Sequence, residues 1–500
     1  MLKLAPIFKD HLVLQREKPL HIWGNAEDGS LITAAIGSVS AQAETVNGAW
    51  HAVLPPLPAG GPYTLTVSDG SETLSLNDVM LGEVWLCGGQ SNMELVVKDA
   101  AHPGELLRDC EESGVRLYHV GKRGFFDAQF YAEEEASCWQ LPMPDTTQHW
   151  TAVGYLFAQE LAKKLGVTIG LVECCYGGTS ATAWMSEAML QSTEAGRRYL
   201  ADYENGIAGL TDEEANQAYR DYCVYQNAWN ERLAAFYREH PTGSWEEALA
   251  VCGENRYPGP YAPINPLRPH GLYDTMLRRI TPFTLRGVLY YQAESDDHRP
   301  EDYETLLTCL IREWRQDFRD PALPFLLVQL PMYAELNTAE CVHWAKLRLA
   351  QERVYRADRH AGMAVILDCG EYCEIHPKEK RPPAHRLFLQ ALREVYGLQE
   401  ADTTSPLLRS AIPESGGIRL HFDTTSPLEL RGSEGFEICG ADGIWHSAAP
   451  SVNENTLLLT SPEVPYPAEA RYAWYNFGPV TLFAKNGLPA APFNTSRTDC

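Results

Sequence analysis

The sequence predicts a mixed α/β protein, with a parallel-sheet domain in the middle of the chain and one β module at each end. Short strands separated by turn residues occupy residues 1–80 and return in residues 401–500. Between them, over residues 81–400, continuous apolar strands alternate with amphipathic helices, which is typical of a parallel sheet covered on both faces. A chain of 500 residues also exceeds one ordinary core, so we expect several domains.

The two terminal modules are predicted from short apolar segments with turn residues on either side. The spacing at the N-terminal end favours a small β-sandwich. Its candidate strands are Leu12–Gln15, Leu20–Gly24, Leu31–Ala35 and Tyr63–Val67. In the C-terminal module the clearest candidates are Ile418–Phe422 and Thr456–Leu459.

Apolar stripes with helical spacing predict two helices of the central domain. One stripe runs from Tyr303 to Phe318, and the other from Val153 to Leu165 with Gly166 placed to end the helix. The candidate central strands are Leu289–Tyr291, Phe325–Val328 and Met363–Leu367. Residues 196–258, rich in Tyr, Glu, Asn and Trp, interrupt the alternation and are predicted to be a mostly helical insertion.

Composition excludes several classes of function. The formal net charge of -25 repels nucleic-acid phosphates and anionic membrane surfaces, so we expect neither as a partner. We find no apolar stretch that could cross a bilayer and no export leader, and we therefore expect a cytoplasmic protein. The 13 cysteines lack CxxC pairs or regular spacing, which argues against a disulfide framework and a zinc site.

The segment Gly82–Met93 is the most informative for chemistry. An apolar strand leads into Gly88 and Gly89 and then to Ser91, so the backbone can turn sharply and present a hydroxyl at the carboxyl end of the strand. Open α/β sheets bind ligands at that edge. Ser91 is therefore a candidate nucleophile, although a serine after a glycine turn is more often a helix N-cap.

Several segments of the chain, including the one that contains Ser91, resemble the sequence blocks of one known family. The stretch Gly82–Glu94 resembles the nucleophile block of the sialate O-acetylesterase family, part of the SGNH-hydrolase superfamily, which reads closely as GEVWLCSGQSNM. Four further blocks match in the family's order: Tyr176–Thr179 with Ala183–Trp184, Tyr290–Ser295, Ile375–Lys378 and Arg471–Trp474. The resemblance implies an SGNH-type three-layer domain and a serine esterase that removes acetyl groups from a sugar without any metal or organic cofactor.

The base is expected to be His376, because a serine hydroxyl needs an adjacent group whose pKa suits proton transfer. Other histidines, such as His11, His385 and His421, lie in β modules or helices and are not in a loop marked by a proline. The family usually shows Asp-Ile-His-Pro where this chain has Glu374, Ile375, His376 and Pro377. Glu374 is therefore the candidate third member of the triad, since any carboxylate oxygen near Nδ1 can orient the imidazole. Asp368, Glu371 and a backbone carbonyl are alternatives.

An oxyanion hole needs donors aimed at the tetrahedral intermediate. The candidates are the backbone N–H of Ser91, a backbone N–H of the Gly177–Gly178 pair, with Gly178 preferred, and the side-chain amide of Gln292. A second departure from the family is Ala293, where glycine is usual. Further candidate substrate contacts lie beside these groups: Gln90, Asn92, Gly177, Trp184 and Glu294.

The family resemblance implies an O-acetylated sugar as substrate, with O-acetyl sialic acid first and acetylated xylan fragments second. A rival from another class is a non-catalytic carbohydrate-binding protein, which the intact Ser91 and His376 disfavour. A sulfatase or lipase is a second rival, but the sequence has neither a metal-ligand cluster nor a G-x-S-x-G elbow. The insertion could form a lid or the contact of a homodimer.

Overall fold

The fold is mixed α/β, with one large sheet and additional β modules. The computed structural model describes residues 1–240, 243–398 and 403–496. The expected boundary between residues 400 and 401 lies outside the described residues. Within them, eleven strands form the large sheet and the others form four smaller sheets.

Eight strands lead from the N-terminus into the large sheet. They are β1 Lys3–Leu4, β2 Val13–Gln15, β3 Leu20–Asn25, β4 Leu31–Ile36, β5 Val39–Glu44, β6 Ala49–Leu54, β7 Gly60–Ser68 and β8 Thr73–Gly89. The expected domain boundary at residues 80 and 81 falls inside β8. The first part of β8 pairs with β7 and β2, and its second part pairs with central strands. One strand thus joins the N-terminal module to the α/β domain.

The central part of the large sheet has the order β10-β9-β11-β8-β12-β13-β14. Its further strands are β9 Val115–His119, β10 Trp139–Gln140, β11 Ile169–Cys175, β12 Gly287–Tyr291, β13 Phe325–Gln329 and β14 Ala361–Val365. All neighbours in this order are parallel except β9 and β10. Strands β11 to β14 are buried along their whole length, as their continuous apolar sequences predict.

Helices cover this sheet and form the insertion. They are α1 Ser91–Glu94, α2 Pro103–Leu106, α3 Ala128–Ala136, α4 Pro144–Thr147, α5 Ala152–Leu165, α6 Glu187–Gln191, α7 Glu194–Ile207, α8 Asp212–Glu239, α9 Trp245–Cys252, α10 Arg278–Ile280, α11 Pro300–Asp317, α12 His343–Ala357 and α13 Arg381–Gln390. Helices α5 and α13 pack together, as do α11 and α12. The two helices predicted from apolar stripes correspond to α5 and α11. As expected, Gly166 ends α5 in the left-handed conformation.

The segment predicted as an insertion holds most of α7 and all of α8 and α9. Capping boxes start both α8, through Thr211 and Glu214, and α9, through Ser244 and Glu247. Trp229 and Phe236 of α8 pack with α9 in a small core separate from the main one. The helices therefore form because they bury an apolar stripe against each other.

The C-terminal module consists of short strands in three small sheets. They are β15 Leu407–Glu414, β16 Gly417–Asp423, β17 Leu428–Leu430, β18 Phe436–Cys439, β19 Trp445–Ser447, β20 Ala449–Asn453, β21 Thr456–Thr460, β22 Glu469–Tyr472, β23 Leu482–Ala484 and β24 Phe493–Asn494. The buried Tyr472 hydroxyl accepts hydrogen bonds from the backbone N–H groups of Thr481 and Leu482. Among the described helices, none combines the length and the apolar character that a membrane span requires.

Candidate active site

Three neighbouring strands of the large sheet end at the same level. Gly89 at the end of β8 pairs with Cys175 of β11 on one side and with Tyr291 of β12 on the other. The strands are parallel, so the segments that follow them leave from one edge of the sheet. These segments hold Ser91, the Gly177–Gly178 pair and Gln292, and the fold therefore brings three of the matched sequence blocks together.

The backbone after β8 turns as the two glycines predicted. Gly89 has a φ of 130°, and a Cβ at this position would lie 2.1 Å from the Tyr291 carbonyl oxygen. The next N–H, that of Gln90, donates to this same carbonyl at 3.0 Å. Ser91 then begins the single turn α1 and is half-buried, whereas Gln90, Asn92 and Met93 are buried. The side chains of Ser91 and Glu94 are thus the partly accessible ones of this turn.

His376 lies against Ser91 although 285 positions separate the two residues. The imidazole Nε2 is 2.8 Å from the serine Oγ, which is hydrogen-bond distance. His376 follows β14 in an irregular segment before α13, and it is half-buried. Of the other candidate histidines, His11 pairs with Asp78 and His385 with Glu160. The predicted nucleophile and base are therefore neighbours.

A buried polar network ties the histidine segment to the nucleophile turn. The side-chain amide of Asn92 donates to the Ile375 carbonyl at 2.9 Å and to the Glu294 carboxylate at 2.7 Å. The Lys380 ammonium donates to the Asn92 side-chain oxygen at 2.7 Å. Asn92, Glu294 and Lys380 are all at most 4% exposed. Because Asn92 follows Ser91 and Ile375 precedes His376, this network fixes the two reactive side chains relative to each other.

Burial and charge set the protonation of these groups. Burial lowers the pKa of His376 to about 4, with a further lowering by the charge of Lys380 and an opposing effect of Glu94. Burial also lowers the pKa of Lys380 to about 8, against the raising effect of Glu294. Burial raises the pKa of Glu294, and the hydrogen bond from Asn92 counteracts this. At neutral pH the imidazole is accordingly uncharged and can accept a proton.

The candidate third members of the triad lie around His376 in a different arrangement from the one expected. The Glu374 carboxylate accepts the backbone N–H of His376 at 2.7 Å. Asp368 forms an ion pair with Arg386. Glu371 forms an isolated backbone bridge with Glu374. In the described part of the chain, none of the three makes a hydrogen bond to Nδ1 of His376.

Two backbone N–H groups at this edge of the sheet lack a hydrogen-bond acceptor in the part of the chain that the structure describes. Gly177 and Ser91 are so close that a Cβ on Gly177 would lie 3.4 Å from the Ser91 Cβ. The Gly177 N–H is occupied, since it donates to the Glu94 carboxylate. The N–H groups of Ser91 and Gly178 have no hydrogen-bond acceptor within the described residues. Both N–H groups are therefore available as donors, and their role in an oxyanion hole remains a prediction.

Gln292 is fully buried, and its side chain is already hydrogen-bonded. Its amide nitrogen donates to Asp296 at 2.7 Å and to the Thr179 carbonyl at 3.1 Å. The Tyr303 hydroxyl donates to its oxygen at 2.9 Å. In this arrangement Gln292 supports the loop that carries Gly178, and an oxyanion would reach its amide only after those bonds change. Its role in the oxyanion hole remains a prediction.

Of the candidate substrate contacts, Gly177 lies beside Ser91, but several others lie beneath the site. Trp184 is fully buried, and its indole N–H donates to Thr179 at 3.0 Å. Gln90 is 2% exposed, and its side-chain oxygen accepts the Ser295 N–H at 3.3 Å. Asn92 and Glu294 belong to the network described above. These side chains are buried and hydrogen-bonded within the protein, and their contact with a substrate remains a prediction.

Sequence reasoning missed Lys380 and Glu94 as functional candidates. Glu94 is the last residue of the matched nucleophile block, and Lys380 lies four residues after His376. Their proximity to matched blocks is the sequence feature that could have identified both residues as candidates. The described residues include no group of three or more His, Cys, Asp or Glu side chains arranged to hold a metal ion.

Comparison with known proteins shows that this chain is similar to carbohydrate esterases. The model of the "Carbohydrate esterase, sialic acid-specific acetylesterase" family matches residues 81–211 and 262–363. The unmatched gap contains α8 and α9. Sialate O-acetylesterase of Mus musculus is 26% identical over 88% of this chain and 82% of its own length. The Homo sapiens protein of the same name is 25% identical over 99% of this chain and 93% of its own length.

A solved structure resembles the whole chain. The crystal structure of a carbohydrate acetylesterase from Xanthomonas citri has a TM-score of 0.77 and 28% identity, and the match covers 99% of both chains. The agreement therefore includes the two β modules as well as the α/β domain. The resemblance to the sialate O-acetylesterase family predicted from the sequence is confirmed, and the chain is an esterase similar to the members of that family.

Proposed function

We propose that this carbohydrate O-acetyl esterase works through an acetyl-serine intermediate on Ser91, with His376 as general base and acid. The supporting observation is the 2.8 Å contact between the His376 Nε2 and the Ser91 Oγ, beside two free backbone N–H groups. A serine nucleophile needs this arrangement of an adjacent base and oxyanion donors.

In the proposed reaction, Ser91 Oγ attacks the acetyl carbonyl carbon while its proton moves to Nε2 of His376. The carbonyl oxygen becomes an oxyanion and accepts hydrogen bonds from the backbone N–H groups of Ser91 and Gly178. When the tetrahedral intermediate collapses, the imidazolium gives its proton to the leaving sugar oxygen. Water, deprotonated by the same imidazole, then attacks the acetyl-serine; the bond between the carbonyl carbon and Oγ breaks, the imidazolium returns its proton to Oγ, and acetate is released.

The sugar is proposed to be O-acetyl sialic acid first and an acetylated xylan fragment second. The names of the mammalian relatives support the first, and the broader name of the Xanthomonas citri protein, a carbohydrate acetylesterase, is compatible with the second. We also propose the SGNH three-layer arrangement for the α/β domain, supported by the paired helices α5 with α13 and α11 with α12. A cytoplasmic location and a homodimer remain predictions.

The test uses 4-nitrophenyl acetate with the wild type, Ser91→Ala and the control Ser192→Ala, whose exposed serine lies outside the site. We expect Ser91→Ala to lose at least about 10³-fold in kcat and Ser192→Ala to keep its rate. Equal rates for Ser91→Ala and the wild type would refute the serine mechanism. Acetate release from O-acetyl sialic acid and from acetylated xylo-oligosaccharides then ranks the two substrates.

A further inference from the structure

Glu94 connects the nucleophile turn to the loop that follows β11. One carboxylate oxygen accepts the Gly177 N–H, and the other accepts from the Lys122 ammonium at 2.8 Å. The Glu94 side chain is 31% exposed. It belongs to the same turn α1 as Ser91, so this carboxylate links the nucleophile turn to the glycine loop, in addition to the hydrogen bond from the Tyr176 N–H to the Gly89 carbonyl.

The Lys122 ammonium is anchored on its other side. It lies 3.6 Å from the carboxylate of Glu173, which is 1% exposed on β11. Glu173 in turn accepts the Thr151 backbone N–H at 3.1 Å and lies 3.4 Å from His119. Lys122 therefore links the Glu94 carboxylate to a rigid, buried strand, and this fixes where the Gly177 N–H points.

We propose that Glu94 is a positioning residue for the esterase reaction, which holds Gly177 so that the Gly178 N–H stays directed at the oxyanion. The inference rests on the proposed function of Ser91 and His376. Of the two neighbouring glycines, Gly177 has its N–H bound to Glu94, and Gly178 has a free one. Loss of the carboxylate would release the Gly177 N–H and loosen the donor that stabilises the transition state.

The charge of Glu94 also acts on the imidazole. The charged groups around His376 are Lys380, which lowers its pKa, Glu94, which raises it, and Glu374, whose carboxylate binds the backbone N–H of His376. The charge of Lys122 faces Glu94. Since no carboxylate of the described residues bonds to Nδ1, Glu94 supplies the negative charge that favours the imidazolium formed during the reaction.

The test compares Glu94→Gln and Glu94→Ala with the control Glu414→Gln, which removes a carboxylate paired with Arg419 in the C-terminal module. The glutamine retains an oxygen that can accept the Gly177 N–H, but it lacks the charge. We expect kcat for 4-nitrophenyl acetate to fall about tenfold for Glu94→Gln and about 100-fold for Glu94→Ala, with little change in KM. Glu414→Gln is expected to keep the wild-type rate.

Two further readouts separate positioning from a general loss of fold. Titration with a fluorophosphonate probe counts active serines, so that kcat refers to folded enzyme alone. The acidic limb of kcat/KM reports the pKa of His376, and it should move to lower pH in both Glu94 variants because a favourable negative charge is lost.

The results of these measurements either support or overturn the positioning role of Glu94. A partial rescue by glutamine together with the shifted acidic limb supports the proposal. Unchanged kcat per active serine, an unmoved limb, or a loss confined to KM overturns it. If Ser91→Ala is inactive while the Glu94 variants keep their rate, only this inference fails; if Ser91→Ala is active, the proposed function itself fails.

Discussion

Replacing Gly89 by alanine should disable the site through a backbone clash. The new Cβ would lie 2.1 Å from the Tyr291 carbonyl oxygen, whereas real Cβ contacts essentially never fall below 3.0 Å. Strand β8 or β12 must therefore shift by about 1 Å, and the φ of 130° adds backbone strain for a residue with a Cβ. Because Ser91 follows two residues later, the shift reaches the proposed nucleophile directly.

The expected loss of activity in Gly89→Ala follows from the displacement of about 1 Å. A misplacement of about 1 Å in a catalytic constellation costs about 100-fold in rate, so kcat of Gly89→Ala with 4-nitrophenyl acetate should fall by about this factor. The strained conformation should also reduce the free energy of unfolding by roughly 1–3 kcal/mol, which urea denaturation measures.

The neighbouring glycine provides a matched control. A Cβ on Gly88 would lie 3.1 Å from the ring of Trp314, so the neighbour must yield by only a few tenths of an ångström. We expect Gly88→Ala to stay within about threefold of the wild-type kcat. Wild-type activity in Gly89→Ala, or an equal loss in both variants, would refute the reasoning.

Three further perturbations test the charges and hydrogen bonds around the site. Lys380→Met should move the acidic limb of kcat/KM to higher pH, since the lysine charge adds to burial in lowering the pKa of His376; an acidic limb at the wild-type pH would contradict this effect of Lys380. Tyr303→Phe removes the hydroxyl that lies at hydrogen-bond distance from the backbone oxygen and the side-chain oxygen of Gln292. The free energy of unfolding in urea should fall by about 1–3 kcal/mol; an unchanged free energy would count against that contact. Glu83→Gln removes a fully buried carboxylate that forms ion pairs with Arg16 of the N-terminal module and with Arg286. The free energy of unfolding should fall by about 3–5 kcal/mol, and a loss below about 1 kcal/mol would show that these ion pairs do not tie the N-terminal module to the sheet.

Much of the architecture was predictable because it rests on local patterns. The apolar stripes of α5 and α11 and the continuous apolar strands β12 and β13 follow from spacing alone. The predicted end of α5 was right because Gly166 adopts a conformation that favours glycine. The strand crossing the expected boundary at residue 80 was not foreseen, because a strand that serves two modules has no compositional break.

What the sequence by itself determined is the set of candidate residues at the strand ends: a glycine turn before Ser91, the glycine pair after β11, and His376 in a matched block. Only the tertiary structure decided which side chains face the reaction. Trp184 and Gln292 are buried, Glu374 binds a backbone N–H, and Glu94 binds the glycine loop. The physical reason is that hydrogen-bond partners distant along the chain are set by strand register and packing, which no local pattern encodes.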